Sequence, residues 1–544
     1  MKNLSKGFAA AAALLMAVPT AAQAGPVVDT PAGRVRGVEQ AGLRIFKGLP
    51  YAAAPIGWRR WKPPVALKPW QGVRDAAAFG PVCVQPKSRP GSIYAETYPA
   101  MSEDCLSLNI WAPAKAAKAP VMVWIHGGSL TGGASSETMY DGAALARQGV
   151  ILVSINYRLG VLGYLAHPEL SREGQGVSGN YGLLDQVAAL HWVKANIAAF
   201  GGDPANVTIA GESAGALSVM YLMAAPQARG LFAKAIAQSA YMISTPELRS
   251  SSFGDIPAEL IGTYLTGKLG ATDLRGLRAM DAGAITDAAA NAGYVPFGTV
   301  DGKVLPQQLA VTFDLGQQAP VPILAGFNSG EIRSLRFLAP PVPADVAHYS
   351  AEIRARYGDL ADAYLKQYPA NNVAESVLTG LRDALYGWTA ERLVTKQAAV
   401  GAPSFLYYFD HGYPAANAAD LYGFHASEIP YVFGNADKTP EFWPKIPTTP
   451  TEQALSDAML GYWASFAREG VPSAAGQPRW PRYAANRGYM TFDGMPRAGT
   501  HLLPGMYELN EAVVCRRRAK GGVPWNWNVG VIAPPLPPKD ARCT

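Results

Sequence analysis

The stretch Gly211-Glu212-Ser213-Ala214-Gly215 places a serine between two glycines, each two residues away. It lies within VTIAGESAGALSVMYLMAA, where a strand-like apolar run precedes the serine and a helix-like run follows it. A serine hydroxyl is a weak nucleophile until it is held clear of its neighbours and offered a base. A sharp strand-to-helix turn does the first, and it needs small residues on either side because it packs closely. The head of the following helix then presents backbone N–H groups to a developing negative charge. In a chain with 56 glycines the bare pattern also arises by chance, as a serine in an ordinary tight connection. The strand before and the helix after favour the nucleophile, and the chemistry would be acyl transfer.

Donors, base and acid can be sought on the same grounds. His126-Gly127-Gly128 follows the apolar run VMVWI. Consecutive glycines let the backbone turn its N–H groups toward an incoming carbonyl. With the N–H of Ala214, Gly127 and Gly128 would complete a three-donor oxyanion hole; read alone, they are equally a flexible loop. Of seven histidines, His425 sits in LYGFHASEIPYVFGN amid aromatics, His126 belongs to the glycine loop and His191 to a helical run. His167, His348, His411 and His501 lie in polar loop contexts. An α/β-hydrolase orders its triad Ser, acid, His along the chain. Glu331, in AGFNSGEIRSLRF just after the apolar VPILAG, falls between Ser213 and His425 and is read as the acid.

These residues need a frame. VMVWIH, VILVSIN, VTIAGE, AKAIAQS, VPILAG and FLYYFD read as buried strands. Between them lie helical patterns, the clearest in GLLDQVAALHWVKANIAAF, where Leu183, Leu184, Val187, Leu190, Val193 and Ile197 recur near every 3.6 residues. Strands alternating with helices predict an α/β fold with a central, mostly parallel sheet covered by helices on both faces. The first hundred residues lack helical period and read as short strands and loops. The 544 residues, 49% hydrophobic and 16% charged, suffice for a large core, and length alone would suggest about three domains. The net charge of +6 is scattered apart from Arg516-Arg517-Arg518, which argues against a nucleic-acid partner.

Residues 1–24 pair two lysines with a short apolar run and end in Ala22-Gln23-Ala24, the pattern of an export signal cut after Ala24. That run is too short to span a bilayer, so the expected product is exported, to the periplasm or beyond, without an integral membrane segment. Four cysteines allow three connectivities. Pairing nearest neighbours, Cys83 with Cys105 and Cys515 with Cys543, is the expectation, each bridge being worth about 3 kcal/mol; free buried thiols are the alternative. The histidines show no metal-ligand spacing, so neither a metal nor another cofactor is expected. The proline-rich end, APPLPPKDARCT, reads as a tail held only by Cys543.

Beyond these elements the chain resembles the type-B carboxylesterase family, which includes the cholinesterases. The blocks that carry the likeness, in family order, are FKGLPYAAAPIGWRRWKPP, SEDCLSLNIW, NYRLGVLGYL, GNYGLLDQVAALHWVKANIAAFGGDPANVTIAGESAGALSV, VDGKVLP, GYWASFAREGVPS and WPRYAANRGYMTF. The resemblance implies one α/β-hydrolase domain over 25–508, with residues 509–544 as a tail closed by a disulfide. It implies Ser213 as nucleophile, Glu331 as acid and His425 as base, with Gly127, Gly128 and Ala214 as the oxyanion hole. Glu212 and Ser239 are then expected just behind the triad, and Cys83–Cys105 matches the family's first disulfide. Ile332, Ser129, Leu130 and Ala240 depart from the usual family residues, which puts the shape of the pocket in question. The implied activity is hydrolysis of a small carboxylic ester without a cofactor. A non-catalytic binding protein of the same fold, or acyl transfer on amides, carbamates or thioesters, is the alternative. Arg333 and Arg336, close behind the acid, would suit a carboxylate on the substrate, such as an ester of a polycarboxylic acid; the plainer reading is two solvated arginines.

Overall fold

The structure is a computed structural model that describes residues 25–526 and 529–543. The expected export signal, 1–24, lies outside the described residues. Eleven strands form the main sheet: β1 (Val38–Gln40), β2 (Leu43–Pro50), β3 (Ser107–Pro113), β4 (Ala119–Ile125), β5 (Ile151–Ile155), β6 (Gly202–Glu212), β7 (Lys234–Gln238), β8 (Ile323–Asn328), β9 (Ser404–Phe409), β10 (Gly488–Phe492) and β11 (Pro496–Thr500). Their spatial order is β1-β2-β3-β5-β4-β6-β7-β8-β9-β10-β11. From β5 through β10 every pairing is parallel. The outer pairings are antiparallel. A three-stranded sheet of Val27–Thr30, Gly33–Arg36 and Val73–Asp75 lies near the N-terminus.

The alternation along each central strand shows why the sheet is covered twice. Val121, Val123 and Ile125 of β4 enter one core cluster, with Val207 and Ile209 of β6. Met122 and Trp124 enter the other, with Leu324 of β8 and Phe405 and Tyr407 of β9. On the first face pack α1 (Tyr181–Asn196), α2 (Ala214–Ala224) and, after α3 (Val373–Arg382), α4 (Trp388–Ala399). On the second packs α5 (Pro450–Glu469), through Leu455, Met459, Trp463 and Phe466. Each such fully buried side chain contributes roughly 1.5–3 kcal/mol of transfer free energy. The predicted period of α1 holds: Leu183, Val187, Leu190 and Val193 are buried and Leu184 is half-buried. The helix stops earlier than its pattern, because Ile197–Phe200 tightens into a 3-10 turn before Gly201 at φ 88°.

The C-terminal stretch is more than a tail. Residues 509–520 belong to α6 (Met506–Lys520), whose Leu509, Val513 and Val514 are buried. Beyond it, Val531 and Ala533 pack in a cluster with Tyr349, Tyr357 and Tyr364. The Leu536 N–H donates to Arg356 O at 2.7 Å. Cys543 is therefore one tether among several, because the apolar residues around the prolines find a core of their own. Both disulfides pair nearest neighbours, Cys83 with Cys105 and Cys515 with Cys543. Among the described residues no helix is long and apolar enough to cross a membrane.

Candidate active site

Parallel strands end at a common edge, and the candidate residues follow strand ends there. Gly127 and Gly128 follow β4, Ser213 follows β6, Ser239 follows β7 and Glu331 comes three residues after β8. His425 arrives on the longer connection after β9.

Ser213 caps α2 with φ 55° and ψ −120°, a strained conformation for a residue with a side chain. Both flanking glycines are forced by packing. A Cβ on Gly211 would lie 2.5 Å from the carbonyl carbon of Gly215, and one on Gly215 would lie 2.0 Å from Ile125 O at the end of β4. Gly127 lies directly against the elbow: its Cβ would fall 3.0 Å from Glu212 O and 3.3 Å from Ser213 Cβ. Gly128 has φ +100°, which glycine adopts freely. Among the described residues neither Gly127 nor Gly128 donates its N–H to another backbone carbonyl. Ala214, first residue of α2, has no acceptor for its N–H within the helix. Gly127 and Ala214 thus flank Ser213 closely, and Gly128 follows Gly127 in the chain. Ser129 and Leu130, where the family usually has a glycine and an aromatic, both take φ of 56°.

Glu331 and His425 meet directly. Oε2 of the buried Glu331 lies 2.5 Å from Nδ1 of His425, and its Oε1 accepts the N–H of Asn328 at 2.8 Å. The two loops are also joined through their backbones, Gly330 N–H donating to Gly423 O at 2.7 Å. The other ring nitrogen, Nε2, lies 3.2 Å from Oε1 of Glu212. Among the described residues no hydrogen bond joins His425 to Ser213. Burial alone would lower the imidazole pKa, but Glu212 and Glu331 outweigh it and raise it to about 9. Burial likewise pushes Glu212 well above the usual carboxylate range, against the pull of His425. His126 is of another kind: buried, stacked on Tyr157 and bonded to Gly127 O, it is pushed down by burial to about 4 and stays neutral.

Ser239 is fully buried behind the site, and its Oγ has no hydrogen-bond partner among the described residues. Ile332, where the family usually has glycine, is absorbed into the core. Arg333 and Arg336 are placed otherwise than a substrate reader requires. Arg333 pairs with Glu375 of α3 and with Asp420, each at 2.6 Å, and lies over the ring of Tyr422. Arg336 pairs with Asp420 at 2.5 Å and is half exposed. Their guanidinium groups tie the acid's loop to the approach to His425, with carboxylates far away in sequence.

Sequence reasoning missed the scaffold behind the triad. The Asn328 amide donates to Phe424 O at 2.9 Å and to Glu428 Oε2 at 2.6 Å. Gln238 donates to Glu428 Oε1 at 2.9 Å, and Trp463 donates to Gln238. Tyr386, on a π-turn (Asp383–Gly387) between α3 and α4, sets its ring 5.3 Å from that of His425. Asn328 stands three residues before the acid and Glu428 three after the base, a signal that was available; Gln238, Trp463 and Tyr386 carried none.

Known proteins are similar to this chain over nearly its whole length. The family model described as "Carboxylesterase family" matches residues 24–508. A fumonisin B1 esterase of Sphingopyxis macrogoltabida is 37% identical over 526 residues, 92% of this chain and 94% of that one. A para-nitrobenzyl esterase of Bacillus subtilis is 37% identical over 471 residues, 84% of this chain and 92% of that one. The crystal structure of the Geobacillus stearothermophilus carboxylesterase EST55 superposes with a TM-score of 0.77 at 35% identity, covering 89% of this chain and 99% of that one.

Proposed function

The chain belongs to the carboxylesterase family and is a carboxylic ester hydrolase, and we propose that it works through an acyl-enzyme formed on Ser213. The observation that carries this is the Glu331–His425 bond of 2.5 Å beside a serine held in a strained elbow. His425 turns its Nε2 from Glu212 toward Ser213 and takes the hydroxyl proton as Oγ attacks the ester carbonyl. Glu331 keeps the ring's orientation and stabilises the imidazolium. The N–H groups of Gly127, Gly128 and Ala214 bind the oxyanion, where one such donor is worth about 3 kcal/mol. The alcohol leaves with the proton from His425. Water, deprotonated by the same ring, then releases the acid. No step calls for a cofactor.

The substrate follows less directly. Arg333 and Arg336 no longer carry the reading of a polycarboxylic ester, since Asp420 and Glu375 occupy them. The relative named fumonisin B1 esterase makes fumonisin B1 the first ester to try. The two disulfides support a location outside the reducing cytoplasm. The test is hydrolysis of a neutral aryl ester and of fumonisin B1 by the native chain and by Ser213→Ala. Activity that vanishes in Ser213→Ala, with a native enzyme that gains the mass of one acyl group when mixed rapidly with substrate, supports the acyl-enzyme. Activity that survives the substitution sinks it.

A further inference from the structure

Tyr94 lies midway between Cys83 and Cys105, whose disulfide closes the segment that carries it. Its hydroxyl is 2.7 Å from Ser334 Oγ and 2.8 Å from the backbone O of His425. A carbonyl only accepts, so the single phenolic proton goes to His425 O, and the Ser334 hydroxyl donates to Tyr94. Ser334 stands three residues after the acid, so one side chain bridges the loops that deliver the acid and the base. The ring of Tyr94 meets Trp443 edge-on at 5.8 Å, and Trp443 packs at 4.8 Å on Phe424, the residue before the base.

We propose that Tyr94 is a positioning residue for the imidazole of His425, acting through that residue's backbone carbonyl. The inference rests on His425 being the base. The peptide that Tyr94 grips joins His425 to Ala426, which has φ +69°. A left-handed conformation there is disfavoured by roughly 1–2 kcal/mol, so the turn needs something to hold it. The imidazole also has work to do that a loosely held backbone would spoil. Its Nε2 rests 3.2 Å from Glu212 and must reach Ser213 by rotation while Nδ1 keeps Glu331. The phenol remains a donor throughout the working range, because burial raises its pKa well above the ordinary value and the carboxylates of Glu212, Glu331 and Glu428 act in the same sense.

Tyr94→Phe removes the clamp and leaves the ring packed against Trp443. A misplacement of the base by about 1 Å is enough to lower kcat roughly 10- to 100-fold, with KM held within about twofold. The acidic midpoint of kcat should also move to lower pH, as the ring loosens from Glu331. Competent sites are counted by stoichiometric phosphonate labelling of Ser213, so that misfolded enzyme is not scored as slow enzyme. A kcat per labelled site and a pH midpoint both unchanged would overturn the proposal, leaving Tyr94 a packing residue. If Ser213→Ala kept full activity, the serine mechanism itself would fall; if Ser213→Ala were dead and Tyr94→Phe fully active, only this inference would.

Discussion

Ser213 occupies a backbone conformation that costs on the order of 1–3 kcal/mol, and the neighbouring Glu212 is a buried carboxylate whose Oε1 has no hydrogen-bond partner among the described residues. Both costs fall on two adjacent residues at the point where His425 must work. The charge on His425 favours the ionised form of Glu212 against its burial, and at rest their Nε2 and Oε1 stand 3.2 Å apart. This gives a prediction with a definite sign. The base acts in its neutral form, so activity falls as pH drops through its pKa, which is raised to about 9 against its burial by the charges of Glu212, Glu331 and Glu428. Glu212→Gln removes one charge that favours the imidazolium, lowers that pKa, and should move the acidic midpoint of kcat/KM down by about one pH unit. A pH-rate profile of the variant checks it. An unmoved midpoint would mean that Glu212 is already neutral beside the ring.

At the scale of elements, the end of β4 and the start of α2 approach until no side-chain atom fits between them. Gly215→Ala would place a methyl 2.0 Å from Ile125 O, against backbone that cannot turn aside. The strand end and the helix must then part, carrying Gly127 and Gly128 away from Ser213. The expected result is a loss of stability of about 1–3 kcal/mol and a fall in kcat of at least about 100-fold. Thermal melting with single-turnover acylation separates the two effects, and a variant with normal acylation would refute the wedge. The same crowding explains what was legible. The elbow could be read because its glycines are a steric necessity, and β4, β5, β6, β7, β8 and β9 could be read because both of their faces are buried. The outer strands were harder. LRIFKGLP of β2 mixes charge, glycine and proline with its apolar residues, and PRAGT of β11 begins with the proline an edge strand tolerates. Asp420 and Glu375, which hold the arginines, are joined to them only by the fold.

For the whole molecule, the sequence suggests a domain ending near 508 and a tail bound by one disulfide, whereas the structure continues its core into α6. Met506, Val514 and Trp525 share the large core cluster with Tyr386, whose ring lies against His425. The family model also ends at 508, within the first turn of that helix. Two variants separate the tether from the core. Cys515→Ser with Cys543→Ser reopens a 28-residue span, and chain entropy sets the loss at about 3–4 kcal/mol or less. Because Val531, Ala533 and the Leu536–Arg356 bond still hold the segment, the unfolding midpoint should drop by only about 2–4 °C, with kcat/KM unchanged. Truncation after residue 508 removes Leu509, Val513 and Val514 from the packed core and leaves the floor beneath Tyr386 open to water. It should abolish soluble, active protein. Melting curves and activity per milligram of soluble protein distinguish these outcomes. A truncated chain that folds and hydrolyses esters normally would show that α6 is an appendage, and that the catalytic core closes without it.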